Sequence, residues 1–150
     1  MSALDPKVAI AISTARSFMN CKWRHRGRNK FGIDCIGIIV NAYQAAGIPI
    51  EDRLDYGRTP WKDGLENELE RQFGPPVKDE SLFDFGDIAI FDLTGRGASH
   101  VGILTPSRTA PFACVHSLLQ HSVSENDLTG KWERWLSGVY KCPVYTGAMI

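Results

Sequence analysis

The hydrophobic pattern of the chain changes at Gly74-Pro75-Pro76, and this change constrains the fold more than any other feature. Before it, apolar residues recur at helical spacing between capping residues. After it, they form short apolar or alternating runs that turn residues separate. Helices followed by an antiparallel sheet are typical of an α+β protein. With 150 residues the chain has the length of one domain, and we predict a single domain over residues 1–150.

Two helices of the first half are predicted from a cap followed by proline. Asp5-Pro6 is typical of an N-cap and a first helical residue, and it predicts a helix over residues 6 to about 20. Thr59-Pro60 has the same form and predicts a polar helix that ends near Phe73.

A helix between these two is predicted to begin at Cys35. Asp34 is a plausible N-cap and Gly47 a plausible C-cap. The β-branched run 38–40 would also suit a strand. The caps and the alanine-rich second half favour a helix that is buried on most of its surface.

The second half contains strand-like runs at residues 87–91, 99–104, 111–117 and 138–144. Turn residues separate the first three, at 94–97 and 105–110. We therefore expect an antiparallel sheet here.

The charges are balanced overall but not along the chain. Seventeen basic residues match seventeen acidic ones, which excludes a globally basic nucleic-acid binder. Residues 21–30, the basic loop, hold five cations and no acid, whereas residues 51–92 hold twelve acidic and five basic residues. The basic loop could be solvated, bind nucleic acid, or line the approach to Cys35, and its position directly before that residue favours the last interpretation.

The cysteines and the N-terminus predict a reduced protein without cofactors. No C-x-x-C pair is present, so a structural zinc site is not expected. The N-terminus carries no export signal and no apolar run is long enough to span a membrane, so we expect free thiols, synthesis in the cytoplasm and no membrane partner. Cys21, Cys114 and Cys142 are interpreted as structural.

Cys35 is the leading candidate for chemistry. At the first turn of a helix, unpaired N–H groups and the positive end of the dipole stabilise a thiolate, and the cations of the basic loop act in the same direction. A small buried apolar residue is the alternative role. A nucleophilic cysteine also needs a base, and the chain has four histidines.

Two of these histidines are predicted to face each other. His100 and His116 lie eight residues on either side of Arg108, so a hairpin centred there pairs them directly on one face. One would act as the base and the other would orient it. His121 would pair near Gly95, inside a turn.

Four segments in order resemble the NlpC-type cysteine peptidases, a papain-like family of cell-wall endopeptidases. They are Phe31-Gly-Ile-Asp-Cys35-Ile-Gly-Ile-Ile-Val, Gly86-Asp87-Ile-Ala-Ile-Phe91, Ser99-His100-Val-Gly-Ile-Leu104 and Val115-His116-Ser117. The resemblance covers roughly residues 13 to 120. It implies a papain-like α+β fold, with the nucleophile at a helix start packed on an antiparallel sheet.

The resemblance also implies roles for single residues. Cys35 would be the nucleophile, His100 the general base and His116 the third member that orients it. Backbone N–H groups at the start of the helix would bind the oxyanion. Four residues are expected to face the substrate: Trp23, Asp34, His25 and Arg26. The implied substrate is the stem peptide of bacterial peptidoglycan.

Two departures from the family pattern matter. Trp23 stands where the family often has a tyrosine, twelve residues before the cysteine. The gap between His100 and His116 is longer than usual, and this keeps His121 as an alternative third member.

The compact arrangement is similar to phage-associated members of the family. We therefore expect a chain made without a signal peptide that is virion-associated or released by lysis, with phage tail proteins as partners and no nucleic acid. Two other functions remain open: a thiol acyltransferase or transpeptidase of the same fold, and an inactive tail-assembly protein.

Overall fold

The computed structural model describes residues 4–53, 55–57 and 64–147. The α-helices in these ranges are α1 (Pro6–Arg16), α2 (Cys35–Ala46), α3 (Leu65–Phe73), α4 (Lys131–Trp135) and α5 (Pro143–Thr146), with a 3-10 helix at Glu80–Leu82. The strands are β1 (Arg28–Asn29), β2 (Gly32–Ile33), β3 (Ile88–Phe91), β4 (His100–Thr105), β5 (Ala113–Ser117), β6 (Val123–Asp127) and β7 (Leu136–Tyr140). This architecture confirms the predicted α+β class. None of the described helices has both the length and the apolar character needed to span a membrane.

Five of the described strands form one antiparallel sheet in the order β6-β5-β4-β3-β7. The predicted runs 87–91, 99–104 and 111–117 correspond to β3, β4 and β5, which confirms them. The run 138–144 is confirmed only as far as Tyr140, because Pro143 is the first residue of α5. Strand β6 was missed because only its first residue, Val123, is buried and the rest are half-buried polar residues.

Helix α1 begins as its cap and proline predict. The Asp5 carboxylate accepts a hydrogen bond from the Lys7 N–H at 2.8 Å, and Pro6 is the first helical residue. The helix ends at Arg16 rather than near residue 20.

Helix α3 is shorter than predicted. Gly64 has a left-handed backbone with φ 78°, which interrupts helical geometry, so the helix begins at Leu65. Its predicted cap, Thr59-Pro60, lies outside the described residues. The predicted end at Phe73 is confirmed.

The helix predicted to begin at Cys35 is confirmed as α2, so its caps outweigh the strand tendency of the β-branched run 38–40. Asp34 accepts a hydrogen bond from the Gly37 N–H at 2.8 Å, and Gly47 ends the helix with φ 72°. The run 38–40 is buried inside the helix. Gly37 itself allows the basic loop to pack on the helix, since a Cβ there would lie 2.3 Å from the carbonyl oxygen of Gly27.

Apolar side chains cover the five-stranded sheet on both faces. One cluster joins α1, α2 and one face of the sheet, and includes Ile38, Ile88 and Val101. The other cluster lies on the opposite face and includes Phe91, Leu104 and Trp132. Burial on both faces explains why every residue of β3, β4 and β5 is buried. This packing places the N-terminus of α2 against β4 and β5.

Asp87 ties the start of β3 to the end of β7. Its carboxylate accepts hydrogen bonds from the Asp84 N–H at 2.8 Å and the Cys142 N–H at 2.7 Å, and it pairs with Lys141. Burial raises the pKa of Asp87, although the Cys142 N–H and Lys141 act in the opposite direction. Asp87 therefore fixes the turn before β3 and also forms an ion pair with Lys141.

Candidate active site

Cys35 lies at the first position of α2 and lines a cavity of about 610 Å³. Its side chain is 9% exposed. Three backbone N–H groups lie within hydrogen-bonding reach of the thiol, from Val101 on β4 and from Ile36 and Cys35 itself. His100, the residue before Val101, lines the same cavity. The sulfur is therefore held between the helix start and the strand that carries one of the predicted histidines.

His100 and His116 contact each other, as predicted, but not as a directly opposed pair. His100 Nε2 lies 2.9 Å from His116 Nδ1. The ladder pairs Leu104 with Cys114, and its continuation sets Gly102 opposite His116. His100 is thus the diagonal neighbour, two residues away on the same face. The predicted register was wrong by two residues because the connecting loop is not symmetric about Arg108.

Both histidines are enclosed by neighbours from other elements. His100 is 4% and His116 is 1% exposed. His116 Nε2 lies 2.8 Å from Asn126 Oδ1 on β6. The Trp132 ring lies 4.5 Å from the His116 ring and 5.9 Å from the His100 ring. Sequence reasoning missed Asn126 and Trp132, because β6 lacks an apolar pattern and α4 spans only five residues.

Burial disfavours the charged forms of the Cys35 thiol and of both imidazoles. Desolvation, followed by the charge of Asp34, raises the pKa of Cys35 to about 12. Desolvation lowers the pKa of His100 well below its ordinary value and also lowers that of His116. In this conformation burial therefore acts against the thiolate that the helix start and the basic loop favour, and the backbone N–H groups offset the loss of water only in part.

Asp34 is a buried junction between α2, the basic loop and residue 56. Besides capping Gly37, its carboxylate accepts hydrogen bonds from the Arg26 N–H and from Arg28 Nη1, each at 2.9 Å. The Tyr56 hydroxyl donates to the same carboxylate. With four donors around it, the carboxylate that precedes Cys35 is bound within the protein. Tyr56 was missed because it is 22 residues away in sequence.

In the basic loop, two ring side chains line the cavity, whereas the cationic side chains lie outside it. Trp23 and His25, two of the predicted substrate-facing residues, line the cavity. Arg26 does not; its guanidinium donates to the Tyr56 carbonyl at 2.8 and 2.9 Å. None of the five cations of residues 21–30 lines the cavity, so the basic loop lines it through its rings and not, as its charge suggested, through its cations. The charges that line it beyond Asp34 come mainly from the acidic segment and include Glu51, Arg53, Glu68 and Arg71.

The alternative third residue, His121, and the cysteines other than Cys35 lie outside the contact between His100 and His116. His121 is exposed in the turn before β6, and its carbonyl accepts from the Trp23 N–H at 3.0 Å. All four cysteines are free, and Cys114 and Cys142 are buried. Within the described part of the chain, no three His, Cys, Asp or Glu side chains converge to form a metal site.

One family model matches most of the chain. The model of the NlpC/P60 family matches residues 20–141. The chain belongs to the NlpC/P60 family. The proteins of this family are typically cell-wall peptidoglycan hydrolases and generally cysteine peptidases or amidases. The resemblance inferred from the four sequence motifs is confirmed at this level.

Solved structures of NlpC/P60 proteins share the fold. A lipoprotein-like member from Staphylococcus aureus subsp. aureus Mu50 matches with TM-score 0.63 and 19% identity over 95% of this chain and 43% of that one. A member from Bacillus cereus ATCC 10987 matches with TM-score 0.63 and 21% identity over 90% and 40%. The NlpC/p60 domain of the peptidoglycan hydrolase SagA matches with TM-score 0.58 and 17% identity over 89% and 97%.

The chain spans less than half the length of the first two of these structures. A search of curated protein sequences finds no match.

Proposed function

We propose that this NlpC/P60 protein is a cysteine peptidase that hydrolyses a peptide bond in the stem peptide of bacterial peptidoglycan. Cys35 is the nucleophile, His100 the general base and His116 the residue that orients His100. The observation that carries this proposal is that His100, which contacts His116 across β4 and β5, lines the same cavity as Cys35 at the start of α2. A catalytic Cys-His-polar arrangement needs these elements together.

The raised pKa of Cys35 and the lowered pKa of His100 favour general-base activation of the thiol. The thiol turns toward Nδ1 of His100, which takes its proton as the sulfur attacks the carbonyl carbon and the C–S bond forms. The resulting imidazolium gives this proton to the amine as the C–N bond breaks, which leaves a thioester. His100 then removes a proton from water, whose oxygen attacks the thioester carbon. The departing sulfur recovers that proton from His100.

The start of α2 supplies the donors for the oxyanion. The N–H groups of Cys35 and Ile36 lie beside the sulfur and belong to the first turn, where backbone donors lack helical partners. Such fixed donors stabilise the negative oxygen of a tetrahedral intermediate.

The cavity suits a peptide that carries charges of both signs. Glu51 and Glu68 line it together with Arg53 and Arg71, so the wall can meet free amino groups and carboxylates alike. Trp23 lines the same space. Stem peptides carry both kinds of group, and Trp23 and His25 are the residues that we propose to contact them.

The phage association is a further part of the proposal and rests on the resemblance of the sequence motifs. In this proposal the protein reaches the cell wall as a component of a phage tail or after lysis. Mass spectrometry of purified particles from an induced host tests it, because a tail component is enriched at constant ratio to other tail proteins. A protein confined to the host cytoplasm would contradict this part and leave the hydrolytic activity unaffected.

The first prediction concerns which histidine, His116 or His121, is the third residue of the catalytic arrangement. His116→Ala is expected to lower kcat about 10²-fold or more, because His100 loses the group that orients its ring. His121→Ala is the matched control and should retain nearly full activity, since His121 is exposed in a turn. Release of muropeptides from purified peptidoglycan is the assay. A loss confined to His121→Ala would reassign the third member.

The pH profile gives the second prediction. Hydrolysis by the mechanism above needs a neutral His100 and a protonated thiol. The pKa of His100 lies well below its usual value and that of Cys35 is raised to about 12. We therefore expect kcat/KM to rise through the lowered His100 pKa and then to stay level through neutral and mildly alkaline pH. A narrow bell-shaped pH profile of kcat/KM that falls above neutral pH would instead indicate a preformed thiolate–imidazolium pair.

A further inference from the structure

We propose that Asn126 is a positioning residue that selects the tautomer of His116 and, through it, presents the basic nitrogen of His100 to Cys35. The catalytic consequence rests on the proposed function, whereas the effect on the tautomer stands on the geometry alone. Asn126 lies on β6, the strand that carried no recognisable sequence pattern.

The hydrogen bonds run in one direction across three strands. Asn126 Oδ1 lies 2.8 Å from His116 Nε2, and an amide oxygen only accepts, so Nε2 carries the proton. A neutral imidazole has one N–H, which leaves Nδ1 of His116 as an acceptor. That atom lies 2.9 Å from His100 Nε2, which therefore donates. The remaining nitrogen of His100, Nδ1, keeps its lone pair for the thiol.

The opposite amide orientation would reverse every link. If the NH₂ group of Asn126 faced His116, Nε2 would accept and Nδ1 would carry the proton. His100 Nε2 would then accept, and His100 Nδ1 would be protonated and unable to act as the base. Ser124 donates to Asn126 Oδ1 at 3.1 Å, so the oxygen that faces His116 is held by a second hydrogen bond.

The sheet register explains why residue 126 rather than the directly paired residue reaches His116. Ser124 is opposite His116, and Asn126 is its diagonal neighbour on the same face. His100 and His116 are related in the same diagonal manner. The flanking residues Glu125 and Asp127 alternate to the other face, where they bind Thr105 and Ser107.

An amide is suited to this place because it carries no charge. The polar groups that contact or face His116 are His100 from β4 and Asn126 and Ser124 from β6, while Trp132 covers the ring from α4. No carboxylate contacts His116 among the described residues, and Glu125 and Asp127 point away from it. Burial lowers the pKa of His116 and so favours the neutral ring, and the Asn126 oxygen beside Nε2 holds the single proton of that ring on Nε2.

The test combines ¹⁵N NMR of the histidines with steady-state kinetics. The chain has only four histidines, so the ring nitrogens of His116 can be assigned by comparison with His116→Ala. In the wild type we expect Nε2 of His116 to be protonated and Nδ1 to be unprotonated. Asn126→Leu keeps the approximate volume but removes the acceptor, and it should abolish this preference. It should also lower kcat about tenfold or more with little change in KM.

Asn126→Asp separates positioning from simple packing. A carboxylate oxygen still accepts from Nε2, so activity should persist at alkaline pH. Its charge raises the pKa of His116, and the protonated ring would then donate through Nδ1 to His100. We expect the acidic limb of the kcat/KM profile to move upward by about one pH unit or more. Asp127→Asn, which alters the neighbouring residue on the opposite face, should leave both the NMR pattern and the profile unchanged.

Two results would overturn the proposal. One is an unchanged His116 nitrogen pattern in folded Asn126→Leu, and the other is an Asn126→Asp profile that superimposes on the wild type. If the wild type itself releases no muropeptides, the proposed function fails, and the NMR comparison still decides the role of Asn126. If Asn126→Leu does not fold, the Asn126→Asp spectrum and titration of His116 decide it.

Discussion

Cys35→Ala is expected to abolish peptidoglycan hydrolysis, with a loss of about 10⁴-fold or more in kcat/KM and little change in Tm. In the proposed mechanism the Cys35 sulfur forms the bond to the substrate, and the other members of a catalytic unit contribute little once the nucleophile is removed. The side chain is small, neutral and at the cavity wall, so the change in the free energy of unfolding should be about 1 kcal/mol or less. Mass spectrometry of released muropeptides and thermal unfolding measure the two effects.

A matched control distinguishes the nucleophile from any buried thiol. Cys142 is also free and buried, and its pKa is raised by desolvation, but it lies beside Asp87 at the end of β7. Cys142→Ala should therefore retain activity and lose stability instead. Substantial hydrolysis by Cys35→Ala would remove Cys35 from the nucleophilic role.

The same assay identifies the reaction class and the role of the base. The double variant Cys35→Ala/His100→Ala should have no lower activity than Cys35→Ala, because the two residues act in one step.

Adding an amine acceptor to the wild type tests the acyltransferase alternative. Aminolysis that is faster than hydrolysis would show that the protein is an acyltransferase and not a peptidase. A wild type that catalyses neither reaction would favour the inactive tail-assembly protein.

Asp34→Ala is expected to reduce the free energy of unfolding by about 3–5 kcal/mol, the largest effect on stability that we predict. The substitution removes the N-cap of α2 and leaves Arg28 without its buried partner, and loss of one member of a buried ion pair costs about this much. It also frees the Tyr56 hydroxyl and the Arg26 N–H. Urea unfolding followed by circular dichroism measures the change.

Two further variants show how much of this change in the free energy of unfolding comes from the buried cluster around Asp34. Asp34→Asn keeps an oxygen that can cap Gly37 but removes the charge, so it should have an intermediate effect. Asp52 pairs with the same Arg28 at 3.1 Å from a more exposed position, and Asp52→Ala should cost about 1 kcal/mol or less. Equal losses for Asp34→Ala and Asp52→Ala would contradict the assignment of Asp34 as the buried centre of the cluster.

Much of the fold, and the segments that carry the candidate site residues, could be predicted because their determinants are local. Asp5, Asp34 and Gly47 cap their helices through contacts within three residues, so their effect is visible in a short window. The strands β3, β4 and β5 are buried on both faces, which makes their apolar runs continuous. The motifs around Cys35, His100 and His116 lie in these segments, and the family match confirms the resemblance that they carry.

The tertiary structure decided what depends on neighbours distant in sequence. The register of β4 against β5 follows the conformation of the loop between them, and it makes the histidine contact diagonal rather than direct. The polar strand β6 exists because β5 provides its partner, and only that pairing brings Asn126 to His116. Burial also acts on the Cys35 thiol: a helix start and nearby cations favour a thiolate, whereas removal from water raises the pKa of the thiol. Sequence shows which groups are present, whereas packing determines how much water and which partners each group retains.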